Sequence, residues 1–275
     1  MTTKIVIPLG DDMHCHLRTG KLLQSVANFT AWSFGRAVIM PNTAPPIDGA
    51  TRVKQYRTEI MESAPSWFEP LMTIQLDSST TPENVKLARQ LGAVAGKVYP
   101  QGVTTNSENG VTNFKALYPV FEAMQKLGML VLFHGEDPDK KITCLDRERI
   151  FLSTLYGIAT DFPKLKIVLE HITTKDAVEM VKQLPNVAAT ITVHHLMLTI
   201  DDVVGGLLMP HNFCKPIAKM PEDKEALLKA ATSGDPQIFF GSDSAPHLRE
   251  KKECNCGCAG VFSAPVALPL LVQIF

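Results

Sequence analysis

Eight short apolar runs punctuate this sequence, separated by turns and by longer amphipathic stretches. The first ends at His14 to His16; the others cover residues 37–40, 71–74, 94–98, 129–133, 167–169, 187–191 and 238–240. Runs this short and continuously apolar suit strands buried on both faces, as in a parallel sheet. Helical segments are expected between them at 52–63, 82–91, 114–127, 146–161, 175–184 and 222–232. Thr81 before Pro82 is an N-cap signal and Gly128 a C-cap signal. Eight strand–helix repeats in 275 residues favour a closed barrel over an open doubly wound sheet, and no Gly-rich dinucleotide turn follows the first strand. The expected fold is an α/β protein of the (β/α)8 TIM-barrel type, with residues 1–275 as one domain. After the eighth run, residues 264–275 begin an apolar helix-like segment, so the barrel is read as truncated at its C-terminal end.

Composition limits the partners. With 45% hydrophobic residues the chain can bury a sizeable core, and a formal net charge of -1 offers nothing to steer nucleic acid or an anionic membrane. No apolar run reaches membrane-spanning length, and residues 1–5 lack an apolar signal region. The six cysteines (Cys15, Cys144, Cys214, Cys254, Cys256 and Cys258) are scattered and expected to be reduced, as in a cytoplasmic protein.

In a barrel of this kind, functional residues gather at the C-terminal strand ends. There the sequence places His14, His16 and Arg18 (first strand), Asn42 (second), Lys97 (fourth), His134 (fifth), His171 (sixth) and Asp243 (eighth). His14 and His16 are two residues apart, so on a strand they point to one side; Arg18 shares their parity. Imidazoles and a carboxylate suit zinc and similar divalent ions. Lys97, inside apolar sequence, must be paired, deprotonated or modified, because a buried ammonium is costly. A deprotonated amine can take up carbon dioxide, and the resulting carbamate is a two-oxygen ligand able to bridge two ions. Such a pair of ions can share a hydroxide nucleophile. Asp243 would then take the proton as general base and return it as general acid. Arg18, Asn42 and His247 remain for substrate, and an arginine suits a carboxylate. The combination points to a small, anionic amide or cyclic amide.

These residues resemble the amidohydrolase superfamily. The stretches Asp12-Met13-His14-Cys15-His16-Leu17-Arg18, Met40-Pro41-Asn42, Lys97-Val98-Tyr99-Pro100, Thr104-Thr105-Asn106-Ser107, His134-Gly135-Glu136, Glu170-His171-Ile172-Thr173-Thr174-Lys175 and Gly241-Ser242-Asp243-Ser244-Ala245-Pro246-His247 are similar to dihydroorotases of the short PyrC-like type. The resemblance implies reversible cyclisation of N-carbamoyl-L-aspartate to dihydroorotate in pyrimidine synthesis. It implies two Zn2+ per subunit, one on His14, His16, Lys97 and Asp243, the other on carbamylated Lys97, His134 and His171. It implies substrate contacts from His16, Arg18, Asn42, His134, Lys215, His247 and Ala259, and a lid carrying Thr104 and Thr105. A homodimer is implied too. Lys215 departs from the family, which has an apolar residue there, but the contact is through backbone. Relatives also continue beyond the length of this chain. Two other readings stand beside this one: another cyclic amidohydrolase of the hydantoinase or dihydropyrimidinase type, and a non-catalytic barrel homologue.

His194, His195 and His211 fall outside this set; His195, near the barrel mouth, is expected to be a satisfied structural histidine. The x1 spacing of Cys254, Cys256 and Cys258 does not fit the usual structural zinc pattern. Residues 102–110 read equally as a plain surface loop or as a lid.

Overall fold

The computed structural model describes residues 6–275, so the expectation drawn from residues 1–5 lies outside it. Eight strands form one sheet in sequence order, each parallel to the next. They are β1 (Gly10–Cys15), β2 (Phe34–Ile39), β3 (Glu69–Leu76), β4 (Ala93–Val98), β5 (Leu130–His134), β6 (Ile167–Glu170), β7 (Val187–Ile191) and β8 (Ile238–Phe240). The helices are α1 (Gly20–Ser33), α2 (Ala50–Ser63), α3 (Pro82–Gln90), α4 (Tyr118–Leu127), α5 (Arg147–Asp161), α6 (Lys175–Gln183), α7 (Val193–Met197), α8 (Asp201–Val204), α9 (Pro221–Ala231), α10 (Arg249–Lys252) and α11 (Ala267–Ile274). This is the (β/α)8 barrel expected from the alternation. Among the described residues no helix is long and apolar enough to cross a membrane.

The barrel closes through residues just past β8. Asp243 N–H donates to the His14 carbonyl at 2.8 Å, and His16 N–H to the Ser244 carbonyl at 3.0 Å. Beneath them the buried Asp12 carboxylate accepts from Ser242 N–H at 2.7 Å, Ser242 Oγ at 2.5 Å and His14 N–H at 3.1 Å. Burial pushes Asp12 up to about 6, against the lowering effect of the Ser242 hydrogen bonds.

Parity along the strands decides what reaches the mouth. Ala95, Leu132 and Val168 share a small buried cluster with Val38 and Met40. Two residues further along each strand, on the same face, stand Lys97, His134 and Glu170. The larger cluster lies between the sheet and the helices and contains Phe121, Phe133 and Phe151.

Several helical details differ from expectation, and the short helices α7, α8 and α10 were not among the expected segments. Helix α1 was not among the expected segments, although its buried residues Leu23, Val26, Ala27, Thr30 and Ala31 recur at helical spacing. Its start is weakly marked because the helix begins at Gly20, a poor helix former, and carries no acidic residue in its first turn. The segment 114–127 is split into a 3₁₀ turn (Phe114–Leu117) and α4, with Pro119 in the first turn of the latter, where its missing N–H costs nothing.

Phe133 is fully buried, with ring centroids 5.9 Å from Phe121 and 5.9 Å from Phe151. Phe133→Ala is expected to lower the free energy of urea unfolding by about 3–5 kcal/mol. A loss below about 1 kcal/mol would show that this aromatic layer can collapse to fill the space.

Candidate active site

A narrow cleft opens at the C-terminal ends of the strands. His14, His16, Arg18, Asn42, Thr104, Thr105, His134, His171, Lys215, Asp243 and Ala259 all line it. Lys97 lies buried at the end of β4, and His247 stands behind Arg18, with its Nε2 3.1 Å from Arg18 Nη2 and 3.0 Å from the Ala259 carbonyl. Depending on its tautomer, that nitrogen accepts from the guanidinium or donates to the carbonyl.

Arg18 arrives by a different route from the one parity suggested. Strand β1 ends at Cys15, and Arg18 adopts a left-handed backbone with φ +62°. It is aimed by its contacts: Arg18 Nε donates to Pro246 O at 3.0 Å, and Tyr56 Oη donates to the Arg18 carbonyl at 2.5 Å. His171 (φ +44°) and Asp243 (φ +41°) are also left-handed. Non-glycine residues there carry roughly 1–2 kcal/mol of strain each, and such strain concentrates at functional sites.

Three imidazoles are each engaged on one nitrogen by a side-chain oxygen. His16 Nδ1 lies 2.9 Å from Asn42 Oδ1, and His134 Nε2 lies 2.7 Å from Glu136 Oε2. His14 Nδ1 is 2.9 Å from Glu170 Oε1, close enough for charge attraction though not aligned as a hydrogen bond. The other nitrogens of His14 and His16 converge: the two Nε2 atoms are 3.3 Å apart and lie 3.3 and 3.0 Å from Asp243 Oδ1. The His134 and His171 rings are 4.8 Å apart at their centroids, and His171 Nδ1 is buried with no protein partner among the described residues.

The electrostatics follow from burial and these pairings. Burial holds His16 down to about 4, lowers His134, and puts His171 well below the usual imidazole range. For His14 burial acts the same way, but Glu170 and Asp243 outweigh it and raise the ring to about 9. Burial opposes the Asp243 charge, yet His14 and His16 hold its carboxyl well below the carboxylate range. His16, His134 and His171 are held neutral and Asp243 ionised, whereas His14 would have to release its proton to act as a ligand. With that proton gone, His14, His16 and Asp243 lie close enough together to offer the nitrogen and carboxylate donors a divalent ion requires, so these residues fit one.

Of the states open to Lys97, the structure holds the paired one. The Lys97 ammonium meets the Glu170 carboxylate, and both are fully buried. Burial pushes Lys97 down despite this partner. Glu170 had no expected role, and neither did Glu136, Asp12, Ser242 or Tyr99; strand parity was the signal that pointed Glu170 inward. The fully buried Tyr99 hydroxyl has no protein partner among the described residues.

The loop at 102–110 rests on the site. Asn42 Nδ2 donates to Thr105 O at 3.1 Å, and Asn106 Nδ2 to Asn42 O at 2.8 Å. His195 is satisfied on both nitrogens, by Thr192 Oγ1 at 2.9 Å and Pro216 O at 2.9 Å. His194 is buried with neither ring nitrogen partnered, and His211 pairs with Glu253 at the surface. The cysteines are all free, and Cys254 and Cys256 are exposed with sulfurs 3.7 Å apart.

Comparison with known proteins adds context. Residues 47–251 match the family described as amidohydrolase. The chain is 47% identical over 279 residues to a dihydroorotase of Teredinibacter turnerae, covering 100% of this chain and 81% of that one. It superposes on the crystal structure of dihydroorotase from Campylobacter jejuni with a TM-score of 0.90 and 45% identity, covering 97% of this chain and 77% of that one. For the Saccharomyces cerevisiae dihydroorotase in complex with 5-fluoroorotic acid the TM-score is 0.92 at 42% identity, covering 97% of this chain and 78% of that one.

Glu170→Gln removes one charge of a buried pair and strands the other. In chelator-treated protein it is expected to lower the unfolding free energy by about 3–5 kcal/mol, and Glu170→Leu combined with Lys97→Met should be less damaging. Equal or greater loss in the double variant would show that the pair itself is not what Glu170 contributes.

Proposed function

The chain belongs to the amidohydrolase family and, within it, to the dihydroorotases, and from that premise we propose how its own residues carry the reaction. It is a cyclic-amide hydrolase that interconverts dihydroorotate and N-carbamoyl-L-aspartate in pyrimidine biosynthesis. The observation that carries the assignment of roles is that Arg18 opens onto the same cleft as the histidine and Asp243 donor set. Hydrolysis of an uncharged hydantoin would not call for a guanidinium there.

His14, His16, Lys97 and Asp243 would hold one zinc ion, and Lys97, His134 and His171 a second, with Lys97 carbamylated as the shared ligand. When bound, such ions polarise the amide carbonyl and lower the pKa of water, so that hydroxide is available near neutral pH. The depression of Lys97 by burial supports carbamylation, since only the free amine reacts. Arg18 binds the substrate carboxylate, with Asn42 and His247 beside it and the backbone of Lys215 and Ala259 completing the pocket. His16 and His134 also border the substrate. In hydrolysis, Asp243 accepts the proton of the attacking water and delivers it to the ring nitrogen as the amide C–N bond breaks. In the direction of synthesis the carbamoyl nitrogen attacks the side-chain carboxyl carbon and gives up that proton to Asp243, which passes it to the departing oxygen; with one further proton taken up from solvent, the C–O bond breaks and water leaves. Thr104 and Thr105 close over the substrate and exclude bulk water. One barrel domain over residues 1–275, a homodimer and a cytoplasmic location belong to the same proposal.

Asp243→Asn is expected to retain most of its zinc and lose about three or more orders of magnitude in kcat. Near-normal turnover would remove Asp243 from proton transfer. Chelation should abolish dihydroorotate turnover, and zinc should restore it. Turnover of uncharged hydantoins without turnover of dihydroorotate would overturn the substrate assignment.

A further inference from the structure

Lys252 has no part in the chemistry above. It ends α10, on the segment that follows β8, and is 3% exposed. A buried ammonium needs acceptors for its three N–H groups. Lys252 Nζ donates to three backbone carbonyls: Phe213 at 3.1 Å, Cys258 at 2.9 Å and Gly260 at 2.7 Å. Among the described residues it makes no ion pair with a carboxylate, so its charge acts on main chain alone.

Those carbonyls belong to two segments that rim the cleft. One lies between β7 and β8 and runs from Phe213 into Lys215; the other, after β8, carries Ala259. Gly260 N–H donates to Phe213 O at 2.9 Å and ties the segments a second time. Gly260 has φ +145°, and a Cβ there would stand 2.6 Å from the Ala245 carbonyl, so the crossing has no slack.

Ala259 sits between two residues whose carbonyls are both drawn to Lys252. Its own carbonyl lies 3.0 Å from His247 Nε2, while its N–H has no acceptor among the described residues. Ala259 is half-buried at the cleft wall, so this donor is open to a ligand that enters the cleft.

We propose that Lys252 is a positioning residue for substrate binding. By gathering the carbonyls of Phe213, Cys258 and Gly260, it orients the Ala259 peptide so that the free N–H faces the anionic group of the substrate beside Arg18. The inference rests on the dihydroorotase reading of this cleft. A contact made equally in ground and transition states affects KM rather than kcat.

The test is steady-state kinetics of the zinc-loaded protein carrying Lys252→Met, with dihydroorotate as substrate and metal content matched to the unmodified protein. KM should rise about tenfold or more, with kcat changed less than about threefold. Lys252→Arg keeps the charge, but its planar fork cannot converge on three carbonyls, and it should show the same KM rise. An unchanged KM overturns the inference whatever the melting temperature, and so does a fall in kcat at unchanged KM. If Lys252→Met fails to fold, Lys252→Arg decides by the same criterion; failure of both to fold makes Lys252 a residue of the scaffold and overturns it. Failure of the unmodified protein to turn over dihydroorotate would instead count against the reading of the cleft.

Discussion

The buried carboxylate of Asp12 anchors the seam on which the site depends. A fully buried carboxylate must find donors, and Asp12 finds them on both sides of the closing barrel, at His14 N–H and at the backbone and hydroxyl of Ser242. This contact reinforces a short backbone bridge, since β8 has only three residues and β1 pairs with the segment just beyond it, at Cys15 and Ser244. With Ser242 fixed, the next residue donates its N–H to the His14 carbonyl and turns left-handed. Asp243 is thereby brought against the imidazoles of His14, on β1, and His16, just past its end.

From the seam the site spreads through paired contacts. Asn42 and Glu136 each hydrogen-bond one nitrogen of a histidine, His16 and His134, which sets the ring's orientation, while Glu170 stands beside His14 Nδ1 and attracts its charge. Glu170 also neutralises Lys97, so one buried carboxylate serves two of the proposed ligands. Converting Lys97 to a carbamate would replace attraction with repulsion at that pair, and bound cations would offset it. Under the proposed ligand set, metal binding and Lys97 chemistry would therefore be coupled through Glu170.

The fold was legible because continuous apolar runs and their spacing report strands that are covered on both faces, and the eight runs coincide with the eight strands. The metal-type donors were legible because histidines, a lysine and an aspartate at strand ends are unusual there. What escaped detection had long-range or conformational causes. Arg18 reaches the cleft through a left-handed turn held by Tyr56, 38 residues away, rather than by strand parity. Glu170 looked like a neighbour of His171, whereas β6 points Glu170 inward and a positive φ brings His171 in after it. Lys252 resembles any surface lysine until two distant segments fold around it. Helix α1 has clear periodicity but begins at Gly20 with no acidic residue in its first turn, which blurs its start.

The central claim, that these side chains form a two-metal site centred on Lys97, is tested most directly by anomalous X-ray diffraction at the zinc edge from crystals of the zinc-loaded protein. The account requires two peaks about 3.5–4 Å apart, bounded by His14, His16, His134, His171 and Asp243, with added density on Lys97 Nζ between them. A single peak with unmodified Lys97 still paired to Glu170, or zinc bound only elsewhere on the chain, would contradict it.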